Sequence, residues 1–200
     1  KPAEDTPLSA LALAELAARA GMTPGVLNVV TAVDPVPVGN ELTSNPTVRK
    51  LSFTGSTEIG KLLMRQSADT MKKVSFELGG NAPFIVFDDA DIDAAVEGAI
   101  AAKYRNGGQT CIATNRFFVQ TAVYDTFAQK YRAAVAGLKV GPGMSAVDVG
   151  PLINQAALEK VESLVANAVE HGATVTLGGA RHQLGGTFYE PTVLTGATLH

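Results

Sequence analysis

The chain has 200 residues, 46% hydrophobic and 18% charged, which excludes a disordered protein and suffices for one ample domain or two modest ones. A formal net charge of -3, with Lys and Arg spread along the chain, leaves no basic stripe, so neither nucleic acid nor anionic lipid is an expected partner. No apolar run is long enough to cross a bilayer, since the least polar stretch, residues 8–18, is interrupted by Ser9 and Glu15.

In chain order, Thr6-Pro7-Leu8-Ser9 opens a helical pattern that runs through residues 10–20 and stops at Gly21. Residues 26–30 are β-rich and are predicted to form a strand. A helix follows at 38–44, then a strand over 48–53 ending at Thr54-Gly55, and helical spacing returns over 56–68. A further strand is predicted at 73–78, and Gly79-Gly80 breaks the chain. Residues 83–87 then open a second series. It comprises a helix at 91–103, a loop at Gly107-Gly108-Gln109, a strand at 117–119, helices at 123–135 and 156–171, and a strand at 173–177. Short strands alternating with helices predict an α/β fold with parallel strands covered by helices, and no internal repeat is present. The chain starts without methionine and stops without an end signal, so it is expected to be an internal piece of a longer protein.

A single cysteine, Cys111, cannot form an internal disulfide, which fits a reducing compartment, taken to be the cytoplasm. His171, His182 and His200 have no ligand spacing with one another or with Cys111, so no metal is expected. Asp88, Asp89, Asp91 and Asp93 lack the glycine and terminal glutamate of a calcium loop and precede a helix, where carboxylates cap the N-terminus.

Three motifs bear on chemistry. Phe53-Thr54-Gly55-Ser56-Thr57-Glu58-Ile59-Gly60 takes a strand through Gly-Ser straight into a helix, which directs free backbone N–H groups at a phosphate; a plain capped turn fits the motif equally well. In Phe76-Glu77-Leu78-Gly79-Gly80 a carboxylate ends a strand, as a solvated surface group or as a general base if a nucleophile lies near. In Asn106-Gly107-Gly108-Gln109-Thr110-Cys111 the thiol follows small, flexible residues. Buried inert cysteines usually sit among Val, Leu and Ile instead.

These motifs, in this order and with Glu77 and Cys111 34 residues apart, resemble the aldehyde dehydrogenase superfamily over the whole of residues 1–200. The resemblance implies part of a Rossmann-type cofactor domain at residues 1–78, followed by part of an αβ catalytic domain at 79–200. It implies that the Cys111 thiolate adds to an aldehyde, that hydride passes to the nicotinamide, and that Glu77 activates the water that hydrolyses the thioester. The Cys111 N–H corresponds to one arm of the oxyanion hole, whose other arm is an asparagine upstream of Lys1. Lys1 and Glu4 correspond to positions at the adenosine ribose, Gly55 and Ser56 to the pyrophosphate contact, and Leu78 and Gly79 to the nicotinamide end.

The text around Gly39-Asn40-Glu41-Leu42, Gly79-Gly80-Asn81-Ala82-Pro83 and Ala113-Thr114-Asn115-Arg116 is most similar to succinate-semialdehyde dehydrogenases. Arg105, six residues before Cys111, corresponds there to the residue that binds the distal carboxylate; by itself it would also suit a helix C-terminus. Glutarate semialdehyde is the alternative substrate, and a non-catalytic structural fragment the alternative from another class. Where some members have a second cysteine, this chain has Ala113, so their regulatory disulfide cannot form. The cofactor is expected to be NAD or NADP, with Glu4 favouring NAD because a carboxylate repels a 2′-phosphate. The parent enzyme is expected to be a homodimer or homotetramer, and the 200 residues alone are expected not to turn over.

Overall fold

The structure, a computed structural model, describes residues 1–198 and divides into two compact units, Lys1–Gly79 and Gly80–His200. His200, one of the histidines considered above, lies outside the described residues.

In the first unit, α1 (Leu8–Arg19) forms from a run of Ala and Leu. Pro7 stands at its N-cap with no side-chain cap, so Thr6 does not supply the start signal the sequence suggested. Gly21, at φ +82°, ends the helix: its N–H donates to the Ala18 carbonyl and that of Met22 to Ala17, a left-handed stop that a glycine adopts without strain. Residues 26–30 form no strand. Val26 and Val30 are exposed, and no strand among the described residues pairs with them, so β propensity has no ladder to join.

After α2 (Val36–Ser44) comes a β–α–β unit of β1 (Lys50–Thr54), α3 (Thr57–Ala68) and β2 (Lys73–Glu77). The strands are parallel, with Phe53 opposite Phe76 and Thr54 opposite Glu77, so Glu77 ends its strand beside the turn into α3. The buried Lys72 donates from Nζ to the carbonyls of Leu42 and Asn45 at 2.8 and 3.1 Å, using its charge to close the C-terminal end of α2.

The second unit opens with β3 (Ala82–Val86), α4 (Ile92–Tyr104), a short 3₁₀ turn (Arg105–Gly108) and β4 (Thr114–Val119), with β3 and β4 again parallel. Of the acidic cluster, Asp91 caps α4, its Oδ1 accepting from the N–H groups of Asp93 and Ala94 at 3.0 and 3.1 Å. Helices α5 (Thr121–Ala136) and α6 (Gln155–Glu170) follow, then β5 (Thr174–Leu177) and β6 (Val193–Thr195), an antiparallel pair. β6 was not anticipated, because its three residues are too few to show a period.

One face of β3–β4, together with α4 and α5, encloses a core of Val86, Val96, Ala99, Phe127, Tyr131 and Val135, with Phe84 and Phe117 packed against it. Phe117 and Tyr131 lie 4.9 Å apart between ring centroids, and Phe127 stacks on Tyr131 at 5.7 Å. Burial pushes the Tyr104 phenol up to about 12 and raises that of Tyr131 as well, so both stay neutral in this core. Among the described residues no helix is long and apolar enough to cross a membrane.

Candidate active site

The second unit holds Cys111 on a turn between α4 and β4. Helix α4 ends because Asn106, Gly107 and Gly108 take φ of +53°, +61° and +76° in succession, a left-handed run that reverses the chain where two of three residues carry no Cβ. Gln109 N–H donates to the Asn106 carbonyl at 3.1 Å and Ala113 N–H to Thr110 at 3.2 Å, so Cys111 stands at the top of a closed turn. Its thiol is free and exposed. Its own N–H donates to no acceptor among the described residues.

The turn is held from several sides. A Cβ on Gly80 would lie 2.7 Å from the Cys111 carbonyl oxygen, so only glycine lets the start of β3 come this close. Arg116 donates to the Asn81 carbonyl at 2.6 Å, drawing the same segment toward β4. The Lys103 ammonium, its pKa lowered by burial, donates to Asn115 Oδ1 and runs beside Gly108, where a Cβ would meet Nζ at 3.2 Å. Gln109 bonds by its side chain to residues 151 and 153. None of Gly80, Lys103, Asn115, Arg116 or Gln109 was singled out as a site residue from sequence, since each acts through partners remote along the chain. Arg105 sits at the α4 C-terminus with its side chain exposed and in no ion pair among the described residues.

In the first unit, β1 runs through Gly55 into α3. The Gly55 N–H donates to the Glu77 carbonyl at 3.0 Å, and Ser56 Oγ accepts from Ile59 N–H at 3.2 Å. The N–H groups of Thr57 and Glu58 meet no acceptor among the described residues, which leaves two donors at the positive end of a 12-residue helix. Gly60 on α3 leaves room for Leu78, whose Cδ2 would be 2.6 Å from a Cβ there; this seats the chain just after Glu77. The Glu77 carboxylate is exposed and in no ion pair among the described residues. Lys1 and Glu4 pair with each other beside an open cleft of about 270 Å³ lined by Pro2, Ala3, Glu4, Pro7, Thr31 and Val33, among others. Gly79 ends this unit with nothing near the position of a Cβ.

Each unit thus gathers its own expected residues: Lys1, Glu4, Gly55, Ser56, Glu77, Leu78 and Gly79 in the first, Arg105 and Cys111 in the second. Free amides at a helix start suit a phosphate, and an exposed thiol with an uncommitted N–H suits addition to a carbonyl compound.

The model of the aldehyde dehydrogenase family matches residues 1–200. The chain is 62% identical over 195 residues to an NADP(+) succinate-semialdehyde dehydrogenase of Escherichia coli, a match covering 97% of this chain and 40% of that protein. It is 63% identical over 195 residues to a glutarate-semialdehyde dehydrogenase of Pseudomonas aeruginosa, with the same coverage of each. A solved succinate-semialdehyde dehydrogenase from Burkholderia pseudomallei superimposes with a TM-score of 0.96 at 65% identity, over 98% of this chain and 41% of that one. The chain therefore spans about two fifths of the length of these relatives.

Proposed function

The chain belongs to the aldehyde dehydrogenase family, and from that premise we propose that the protein carrying it oxidises an aldehyde with a carboxylate at its far end, succinate semialdehyde foremost, to the corresponding acid. The observation that carries this reading is the turn of Cys111: an exposed thiol with an uncommitted backbone N–H, six residues after an exposed guanidinium that has no ion-pair partner among the described residues. The relatives at 62% and 63% identity are named for semialdehydes, and both substrates end in a carboxylate of the kind Arg105 is shaped to bind.

In the proposed reaction the Cys111 thiolate forms a C–S bond to the aldehyde carbon, and the negative charge moves to the former carbonyl oxygen. The Cys111 N–H donates to that oxygen. A nicotinamide held by the first unit would supply the acceptor for the hydride of that carbon, which leaves a thioester on Cys111. Glu77 then takes a proton from water as the water adds to the thioester, the C–S bond breaks, and the acid departs. Arg105 holds the far carboxylate throughout and takes no part in bond making.

For the cofactor, the free amides of Thr57 and Glu58 after Gly55-Ser56 would hold the pyrophosphate, the cleft beside Lys1 and Glu4 the adenosine ribose, and Leu78 with Gly79 the nicotinamide end. The expectation of NAD rested on the Glu4 carboxylate, and Lys1, a cation that favours the 2′-phosphate, pairs with it. With a relative named for NADP(+) at 62% identity, we read the cofactor as NADP. The exposed thiol suits a reducing compartment, and we place the protein in the cytoplasm.

A second reading, glutarate semialdehyde, is favoured by the Pseudomonas relative. It differs by one methylene, worth about 1–3 kcal/mol in an apolar pocket, so kcat/KM for the two aldehydes decides between them. The test of the mechanism is pre-steady-state kinetics on the full-length protein. Cys111→Ala is expected to release no reduced cofactor, and Glu77→Gln to give a burst of it without sustained turnover. Unchanged steady-state rates in either variant would remove that residue from the reaction.

A further inference from the structure

Cys111 is carried by a turn, and a turn holds a thiol in one place only if something outside it does the holding. Residues 151–153 do so through one side chain. Gln109 Nε2 donates to the Pro151 carbonyl at 3.3 Å, and its Oε1 accepts from the Ile153 N–H at 2.9 Å. Only one orientation of the amide satisfies both bonds, since turning it over would set donor against donor and acceptor against acceptor. The intervening Leu152 faces the other way: its N–H donates to the Thr187 carbonyl at 3.0 Å, and its carbonyl accepts from Thr187 Oγ1 at 2.7 Å. The segment is therefore bonded on both edges like the middle strand of a ladder, with the Gln109 amide standing where a third strand would be. Immediately after it, Asn154 caps α6 by accepting from Ala157 N–H at 3.0 Å, which fixes that end as well.

We infer that Gln109 is a positioning residue for the reaction, tying the Cys111 turn to a segment that Thr187 and the start of α6 hold still. This rests on the reading of Cys111 as nucleophile. One residue, Thr110, separates the strut from the thiol, so losing the strut lets the turn shift without removing the thiol, the oxyanion donor or Arg105. The consequence belongs to bond formation and not to substrate capture, because a displacement of about 1 Å can cost roughly a hundredfold in rate.

The test uses the full-length protein, with single-turnover acylation, steady-state kinetics on succinate semialdehyde, and Cys111 alkylation by iodoacetamide. Gln109→Met removes both bonds and should slow acylation by roughly a hundredfold while KM changes by no more than a few-fold. Gln109→Glu keeps the acceptor for Ile153 but sets a carboxylate against the Pro151 carbonyl. Protonation restores the donor, so its acylation rate relative to wild type should rise as the pH is lowered. Thr187→Val, which leaves the turn itself intact, should give a smaller loss in the same direction.

Acylation within twofold of wild type in both Gln109→Met and Thr187→Val would overturn the inference. So would a flat pH profile for the ratio of Gln109→Glu to wild type. If the wild-type protein oxidises no aldehyde while Gln109→Met still changes the alkylation rate, the positioning role stands and the proposed activity falls.

Discussion

The chain contains two parallel β–α–β units, β1–α3–β2 and β3–α4–β4, built on opposite plans. In the first the strand enters its helix through Gly55-Ser56 alone, and what it offers is backbone: N–H groups fixed by the helix itself. In the second the residues proposed for chemistry, Arg105 and Cys111, lie after the helix, where Asn106, Gly107 and Gly108 reverse the chain, and what they offer is side chains. Their interiors differ accordingly. Among the described residues, Leu51 is the buried hydrophobic side chain of the first unit, accompanied by the buried polar Thr43, Ser67 and Lys72, whereas the second encloses an aromatic cluster around Tyr131. Amides at a helix start need little beyond the helix to aim them, but a side chain on a turn needs a packed platform and external struts.

The comparison would be broken most decisively at Arg105, a side chain on the second plan. Where the bound substrate encloses its carboxylate with Arg105, Arg105→Ala should lower kcat/KM for succinate semialdehyde by roughly a hundredfold or more, because leaving a buried carboxylate unpartnered costs about 3–5 kcal/mol and each 1.4 kcal/mol is a factor of ten; a pair left open to water loses less. Butyraldehyde, which has no carboxylate, should lose far less; equal losses on the two would make Arg105 a support of the Cys111 turn.

The platform itself can be probed next. Leu158, fully buried on α6, should cost about 2–5 kcal/mol when cut to Ala, while Leu13→Ala on α1, a helix with no buried residue, should stay within about 0.5 kcal/mol. Denaturant melts showing comparable losses would mean that the first unit rests on packing as much as the second.

The smallest effect is expected at Glu4. With Lys1 paired to it, Glu4→Ser should raise the preference for NADP over NAD by only a few-fold, about 1 kcal/mol or less for an exposed pair. A change of a hundredfold in that ratio would show that the carboxylate faces the 2′-phosphate unscreened.

Much of this was legible because it is local. The Ser56 and Asp91 caps, the stop at Gly21 and the succession of parallel β–α–β units follow from residues within a few positions of one another, and the structure keeps nearly all of those elements. The order of three short motifs likewise indicated the family. Residues 26–30 show where such reasoning fails, since their β propensity is real but a strand exists only when another pairs with it. The same holds for β6, which three residues could not announce and which β5 makes a strand.

What the sequence alone determined is which residues could do chemistry: one thiol, a carboxylate at a strand end, a glycine turn and an arginine. The tertiary structure decided how they are held, because the deciding contacts span distances that no local pattern encodes. Gln109 reaches its partners 42 and 44 residues on, Arg116 reaches back 35, and the glycine at 80 is required by a carbonyl at 111. Lys1 and Glu4, three positions apart, were both legible as charges, but that they pair with each other is decided by the fold.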